Sequence, residues 1–239
     1  MEIVSYINPD KFKNLQIEKS CLYIVSTPIG NLEDISFRAL FVLNNVDLIL
    51  CEDTRTTSIL LSKYQIKNKL TSYYSRNELI RLDEIIDKIS DGLSVALVSD
   101  SGTPCISDPG GLLVSECIEK GIKIYSIPGS SAIIHSLVLS GFKIKNFYFQ
   151  GFLPQKKGRE KTLSEISKIN SLIVIYESPY RILKLLTEVA KHFGNKEIAI
   201  GRELTKMFEQ FIRGRVLDVI KKSTSMKIKG EFVLIINNR

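Results

Sequence analysis

Residues 95–110 read VALVSDSGTPCISDPG, an apolar run that breaks off into a segment of turn chemistry. Residues 98–110 alone hold two glycines, two prolines, two aspartates, three serines and a threonine, far more than a connection needs. An amphipathic segment near residues 112–117 follows, so this is a strand-to-helix turn. Such turns, at the carboxyl edge of an open α/β sheet, offer backbone N–H and C=O groups to a crevice where ligands bind.

Outward from this turn, strands and helices alternate. A strand over residues 21–26 ends in Thr27-Pro28-Ile29-Gly30-Asn31, and Ser36 is the expected cap of a helix through Phe37, Leu40, Phe41 and Leu43. The apolar run 46–51 ends in Glu52-Asp53-Thr54-Arg55, with the next helix starting at Thr54 or Thr56. Leu79, Leu82, Ile85, Ile86 and Ile89 recur at helical spacing behind Asn77, the expected cap. A strand over 123–127 closes on Pro128-Gly129-Ser130-Ser131, before a helix over 132–140. The second half starts with Phe147-Tyr148-Phe149 and a turn at Gly151-Phe152-Leu153-Pro154. It continues with a basic helix, a strand over 171–176, a helix after Ser178-Pro179 and a strand over 197–201. Two last strands, near 208–213 and 231–236, suit an antiparallel finish. The alternation predicts an α/β fold with a mostly parallel, covered sheet in the first half. It divides into an extension over residues 1–20 and two α/β domains, 21–128 and 129–239, with a crevice between them.

Composition narrows the class. The chain has 239 residues, 44% hydrophobic and 25% charged, as in ordinary globular proteins. No apolar run approaches the roughly 20 residues of a membrane span, and the first twenty residues do not read as a leader, so a cytoplasmic protein is expected. Four widely spaced cysteines and two histidines argue against a zinc site or a disulfide framework, so no metal is expected. His135 and His192 fall in amphipathic helices and read as structural or surface residues. The net charge of +7 is uneven: residues 143–161 hold six basic and one acidic side chain, and residues 202–229 hold eight and three. Such a basic half suits a polyanion.

Five loops share this turn chemistry: TPIGN, CEDTR, SDSGTPCISDPG, IPGSSA and YESPYR. All are expected on one sheet edge. Glycine permits close approach of a ligand to the backbone, proline fixes the loop, and Ser, Thr and Asp supply hydrogen bonds. Neither GxGxxG nor GxxxxGK[ST] occurs, so the dinucleotide fingerprint and the P-loop are absent.

The ordered motifs TPIGNLEDIS, EDTRTTSILL, LVSDSGTPCISDPG, IPGSSA, GFLPQKKGR, YESPYR, RELTK and GEFVLI resemble the ribosomal RNA branch of the tetrapyrrole methylase superfamily, across nearly all of residues 22–236. The resemblance implies a class III methyltransferase fold, with two α/β domains flanking a cofactor cleft. It further implies S-adenosylmethionine-dependent 2'-O-ribose methylation of a cytidine in the decoding region of 16S rRNA, in the small ribosomal subunit, by a homodimer. The implied cofactor contacts are Pro28, Gly102, Thr103, Ile106, Ser131, Ala132, Tyr176 and Glu177, with Leu204 and Gly230 as weaker candidates. Three places depart from the family pattern: Tyr73-Tyr74-Ser75-Arg76, Ser130 and Tyr180.

For the reaction, a ribose hydroxyl attacks a sulfonium methyl in line, and a carboxylate that takes its proton helps. Asp53 or Glu52 is the candidate for that role and Arg55 for binding phosphate, against a structural Asp-Arg pair capping the next helix. Lys156, Lys157 and Arg159 are the candidate RNA contacts, since phosphates dominate nucleic-acid affinity. The competing readings are a tetrapyrrole methylase and a non-catalytic RNA-binding assembly module.

Overall fold

The structure is a computed structural model and describes residues 15–222 and 228–239. The chain forms two compact units, Met1–Ser131 and Ala132–Arg239.

In the first unit, β1 (Cys21–Val25), β2 (Leu48–Cys51), β3 (Leu70–Ser72), β4 (Ser94–Leu97) and β5 (Lys123–Ile127) make a five-stranded sheet of order β3-β2-β4-β1-β5. Every pairing is parallel. The helices between them are α1 (Phe37–Asn45), α2 (Thr54–Lys63), α3 (Glu78–Ser90) and α4 (Gly111–Glu119). Strand periodicity assigns the faces. Cys21, Tyr23 and Val25 pack with Leu40 of α1 and Leu60 of α2, whereas Leu22 and Ile24 pack with Ile85 and Ile89 of α3 and Leu113 of α4. With both faces covered, the central strands β1, β2 and β4 are buried along their whole length rather than alternating.

This order places the ligand edge. The connection leaving β1 runs over the α1 face past β4 to β2, while the one leaving β4 runs over the α4 face past β1 to β5. Neighbouring strands whose connections diverge to opposite faces form a topological switch point. At this one the TPIGN and SDSGTPCISDPG loops lie side by side, and Thr27 N donates to Gly102 O at 2.8 Å.

The second unit starts with α5 (Ala132–Ser140). Then come β6 (Phe147–Phe152), α6 (Arg159–Ile166), β7 (Leu172–Glu177), α7 (Ile182–Phe193), β8 (Glu197–Arg202), β9 (Gln210–Arg215), α8 (Val216–Lys222) and β10 (Phe232–Asn237). Its mixed sheet has the order β6-β7-β10-β8-β9, with β6 and β7 parallel and the other pairs antiparallel. Ile173, Ile175, Ile198, Ile200, Leu234 and Ile236 pack under α6, α7 and α8, and α5 lies against β8 and β10.

Several expectations need correction. β3 has no apolar run to announce it, only three half-buried residues. Asn77 stands at the cap position of α3, but its side chain makes no capping bond: its carbonyl accepts from Tyr74 N at 2.7 Å, a turn bond. Gly151 and Phe152 are not a turn but the end of β6, beyond a bulge at Phe149/Gly151. YESPYR does not share the edge of the other four loops, because β7 belongs to the second sheet.

Candidate functional site

Parallel pairing brings the carboxyl ends of all five strands of the first unit to one edge, so the loops that follow them gather there. The Ser26 and Thr103 hydroxyls hydrogen-bond at 2.9 Å, and Thr27 Oγ1 donates to Ser99 O at 3.1 Å. Pro28 is buried beside them, Gly102 is buried, Thr103 is half-buried and Ile106 is exposed. Ser131 closes the unit just after β5.

The segment after β4 is held in conformations that side chains rarely adopt. Gly102, Cys105, Ser107 and Gly110 all have φ between +66° and +121°. Such backbone persists only where its surroundings over-determine it. Here Cys105 N donates to Pro109 O, and Gly110 N donates to Glu78 Oε1 at 2.6 Å. Gly110 is required in space as well: a Cβ there would stand 2.4 Å from Leu97 Cδ2 and 2.8 Å from Cys105 Sγ. Burial pushes the Cys105 thiol up to about 11, which makes it inert at neutral pH.

Four carboxylates line the same edge. Asp53 is the cap of α2: its side chain accepts from Arg55 N at 2.8 Å and from Arg55 Nε at 3.0 Å. The Arg55 hydrogen bonds hold its carboxyl at about 2. A base that weak takes a proton poorly near neutrality, and Asp53 does form the capping pair with Arg55 that the sequence also allowed. Glu52 is different: burial, then the charge of Asp100, raises it. Burial, then the charges of Glu52 and Asp100, pushes Asp108 up to about 7. Asp100 Oδ1 accepts from Asp53 N at 3.2 Å and is itself raised, mainly by burial. Asp100 and Asp108 were visible in the sequence only as turn residues, and their mutual proximity follows from the loop's fold.

In the second unit, Ala132 opens α5, and Tyr176 and Glu177 end β7. Tyr176 stands edge-on to Phe149 and tilted against Phe152, with centroids 5.0 and 5.6 Å away. The Glu177 carboxylate is not free for a ligand. It is 2% exposed, accepts from Arg159 Nη2 at 3.1 Å, from Arg181 Nε at 2.7 Å and from Ser178 N at 2.9 Å, so only its main chain is left for the expected cofactor contact. Arg159 is no RNA contact: it is 3% exposed and donates through Nε to Glu188 at 2.9 Å. Lys156 and Lys157 are exposed as expected and form no ion pair among the described residues. His192 lies 2.7 Å from Glu160, a surface contact, and of the Tyr73-Tyr74-Ser75-Arg76 departure Tyr73 is fully buried while the other three residues are exposed.

A doubly covered parallel sheet with ligand loops at a switch point, joined in sequence to a second, mixed α/β unit, defines a two-domain class III methylase fold. Comparison with known proteins gives the family. The description Tetrapyrrole (Corrin/Porphyrin) Methylases matches residues 21–219, and the chain belongs to that family. It is 45% identical over 218 residues to the ribosomal RNA small subunit methyltransferase I of Thermotoga maritima, spanning 91% of this chain and 98% of that protein. To the protein of the same name from Bacillus subtilis it is 42% identical, spanning 93% and 77%. Among solved structures, the uroporphyrin-III C-methyl transferase of Thermus thermophilus complexed with S-adenyl homocysteine matches with a TM-score of 0.65. That match is 13% identical and covers 90% and 96% of the two chains, a likeness of fold.

S-adenosylmethionine is the cofactor of the family. The first unit's edge fits it. A Cβ added at Gly102 would stand 3.3 Å from Ile29 Cγ2 and one at Gly129 2.8 Å from Ser26 Cβ, so the loops approach one another too closely for a side chain at Gly129. The polar groups there are backbone amides and carbonyls, hydroxyls and carboxylates, which suit a cationic sulfonium. Among the described residues no helix is long and apolar enough to cross a membrane.

Proposed function

We propose that this protein is a cytoplasmic homodimer that methylates the ribose 2'-hydroxyl of a cytidine in the decoding region of 16S rRNA. The observation that carries the reading is identity of 42–46% over at least 90% of the chain to proteins named ribosomal RNA small subunit methyltransferase I. Charge supports it: residues 132–239 hold 20 Lys and Arg against 9 Asp and Glu, while residues 1–131 hold 13 against 17.

When bound, S-adenosylmethionine supplies a methyl group on a positively charged sulfur. The loops after β1, β4 and β5 bind it through Pro28, Gly102, Thr103, Ile106 and Ser131. Glu52 orients the 2'-hydroxyl and takes its proton, because its raised affinity for protons matches that task better than Asp53's lowered one. Asp53 shapes the site by starting α2 and holding Arg55, whose exposed side chain meets a phosphate. Lys156 and Lys157 bind further phosphates.

The test offers the protein labelled S-adenosylmethionine with small subunits lacking the modification and, separately, with a reduced porphyrin. Label in 16S rRNA is expected. Label in the porphyrin alone would assign the chain to the tetrapyrrole-modifying reading, and cofactor binding with no transfer to RNA would count against both enzyme readings.

A further inference from the structure

The register of the second sheet gathers a second set of loops. Phe152 pairs with Tyr176, and Glu177, Phe232, Arg202 and Gln210 stand in one row across β7, β10, β8 and β9. The carboxyl ends of β6, β7 and β8 and the start of β10 therefore share one edge, about 15 Å wide at the usual strand spacing. From it project Lys156 and Lys157 after β6, Tyr180 after β7, Met207 after β8 and Lys229 before β10.

Tyr180 is unusual there. An aromatic ring ordinarily buries most of its apolar surface, yet this residue is 95% exposed. Its turn is fixed from beneath. The buried Glu177 carboxylate accepts from Ser178 N and Arg181 Nε, one on each side of Tyr180, and Arg159 holds Glu177 from inside the unit. Ion pairs this deep seldom serve stability alone, but they make a stiff pedestal, so the ring is presented with little ordering left to do on binding. Along the same edge stand apolar and cationic side chains, with the exposed Glu231 held by Lys206 at 2.9 Å. Met207 is 91% exposed and half of Phe152 faces solvent. Lys156, Lys157 and Lys229 are exposed without an ion pair among the described residues. Rigid exposed aromatics interleaved with unpaired lysines suit single-stranded nucleic acid, whose bases stack while its phosphates meet the cations. A duplex keeps its base faces covered and offers nothing to stack on.

We propose that Tyr180 is a stacking platform for an unpaired base of the RNA substrate, held in reach by Lys156, Lys157 and Lys229 on the same sheet edge. The proposal rests on the ribosomal RNA reading above and adds that the second unit selects unpaired over paired RNA.

The test titrates the full chain against a short unstructured RNA carrying 2-aminopurine and against the same sequence as a duplex, at several salt concentrations. The wild type should prefer the single strand and quench its fluorescence. Tyr180→Phe should keep both properties, and Tyr180→Ala should lose the quench and bind on the order of tenfold more weakly with the salt slope unchanged. The Lys156→Gln, Lys157→Gln pair should keep the quench and lower the slope by about 1.4. Equal melting temperatures for wild type and both Tyr180 variants guard against a folding effect. If the wild type binds and quenches but Tyr180→Ala does the same, the platform is wrong and the RNA reading stands. If the wild type binds neither RNA, both fail. Loss of a dimer on sedimentation of Tyr180→Ala would give the surface to a second copy of the chain and overturn the platform.

Discussion

At Arg159 the guanidinium lies inside the second unit between Glu177 and Glu188, so removing it leaves Glu188 with only Lys184 at 3.7 Å and takes from Glu177 the inner of its two arginines. Arg159→Met should lower the unfolding free energy by about 3–5 kcal/mol, read from urea denaturation, while the salt slope of RNA binding stays as in the wild type. A lowered slope with unchanged stability would restore Arg159 to the RNA contacts. The sequence shows only a basic cluster, KKGR, because the partners lie 18 and 29 residues further on. Asp108 carries a pH signature. Its carboxyl titrates at about 7 when folded and near 4 when unfolded. Between those values the folded chain holds the extra proton, so stability falls as pH rises through that window. Asp108→Asn abolishes that loss. It should melt higher than wild type at about pH 8 and level with it at about pH 4, by roughly 1 kcal/mol once solvent screening of this half-buried group is allowed for. An equal difference at both pH values would show that the gain is not electrostatic.

At the scale of elements, Asp53 and Gly110 each hold a helix start. Asp53→Ala removes the cap of α2 and should cost about 1 kcal/mol, leaving the methylation rate within a few-fold of wild type below the melting temperature. Glu52→Gln should instead keep stability and lose on the order of a hundredfold in rate. The reverse pattern would make Asp53 the proton acceptor after all. Gly110→Ala meets Leu97 and Cys105 from a backbone at φ +121° and should destabilise by roughly 2 kcal/mol or more, seen as a lowered melting temperature. Most of these elements are legible in the sequence. Ser36 before an apolar periodic run marks α1, and its hydroxyl does accept from Ala39 N. β3 is hidden because three half-buried residues give no period. Asn77 misleads because a side-chain amide beside a helix start serves a preceding turn as readily as the helix itself.

Across the whole chain, alternating strands and helices make the α/β class readable, and the split of charge between the units points to a polyanionic substrate. The order of the second sheet is less legible. β10 is last in sequence yet sits between β7 and β8, and nothing in an apolar strand says which neighbours it takes. The loops tell that story in part: four of the five share one edge because their strands share a parallel sheet, while YESPYR belongs to the other. The site's chemistry was legible as residue types rather than roles, since roles such as capping depend on distances that spacing does not fix. The proposed methyl acceptor is one atom, a ribose 2'-oxygen. Small subunits lacking the modification are incubated with the protein and S-adenosylmethionine, and the 16S rRNA is digested and analysed by mass spectrometry. A single added methyl on the 2'-oxygen of a decoding-region cytidine, in an alkali-resistant dinucleotide, is the expected result; a methyl on a base, or none while the cofactor binds, would contradict it.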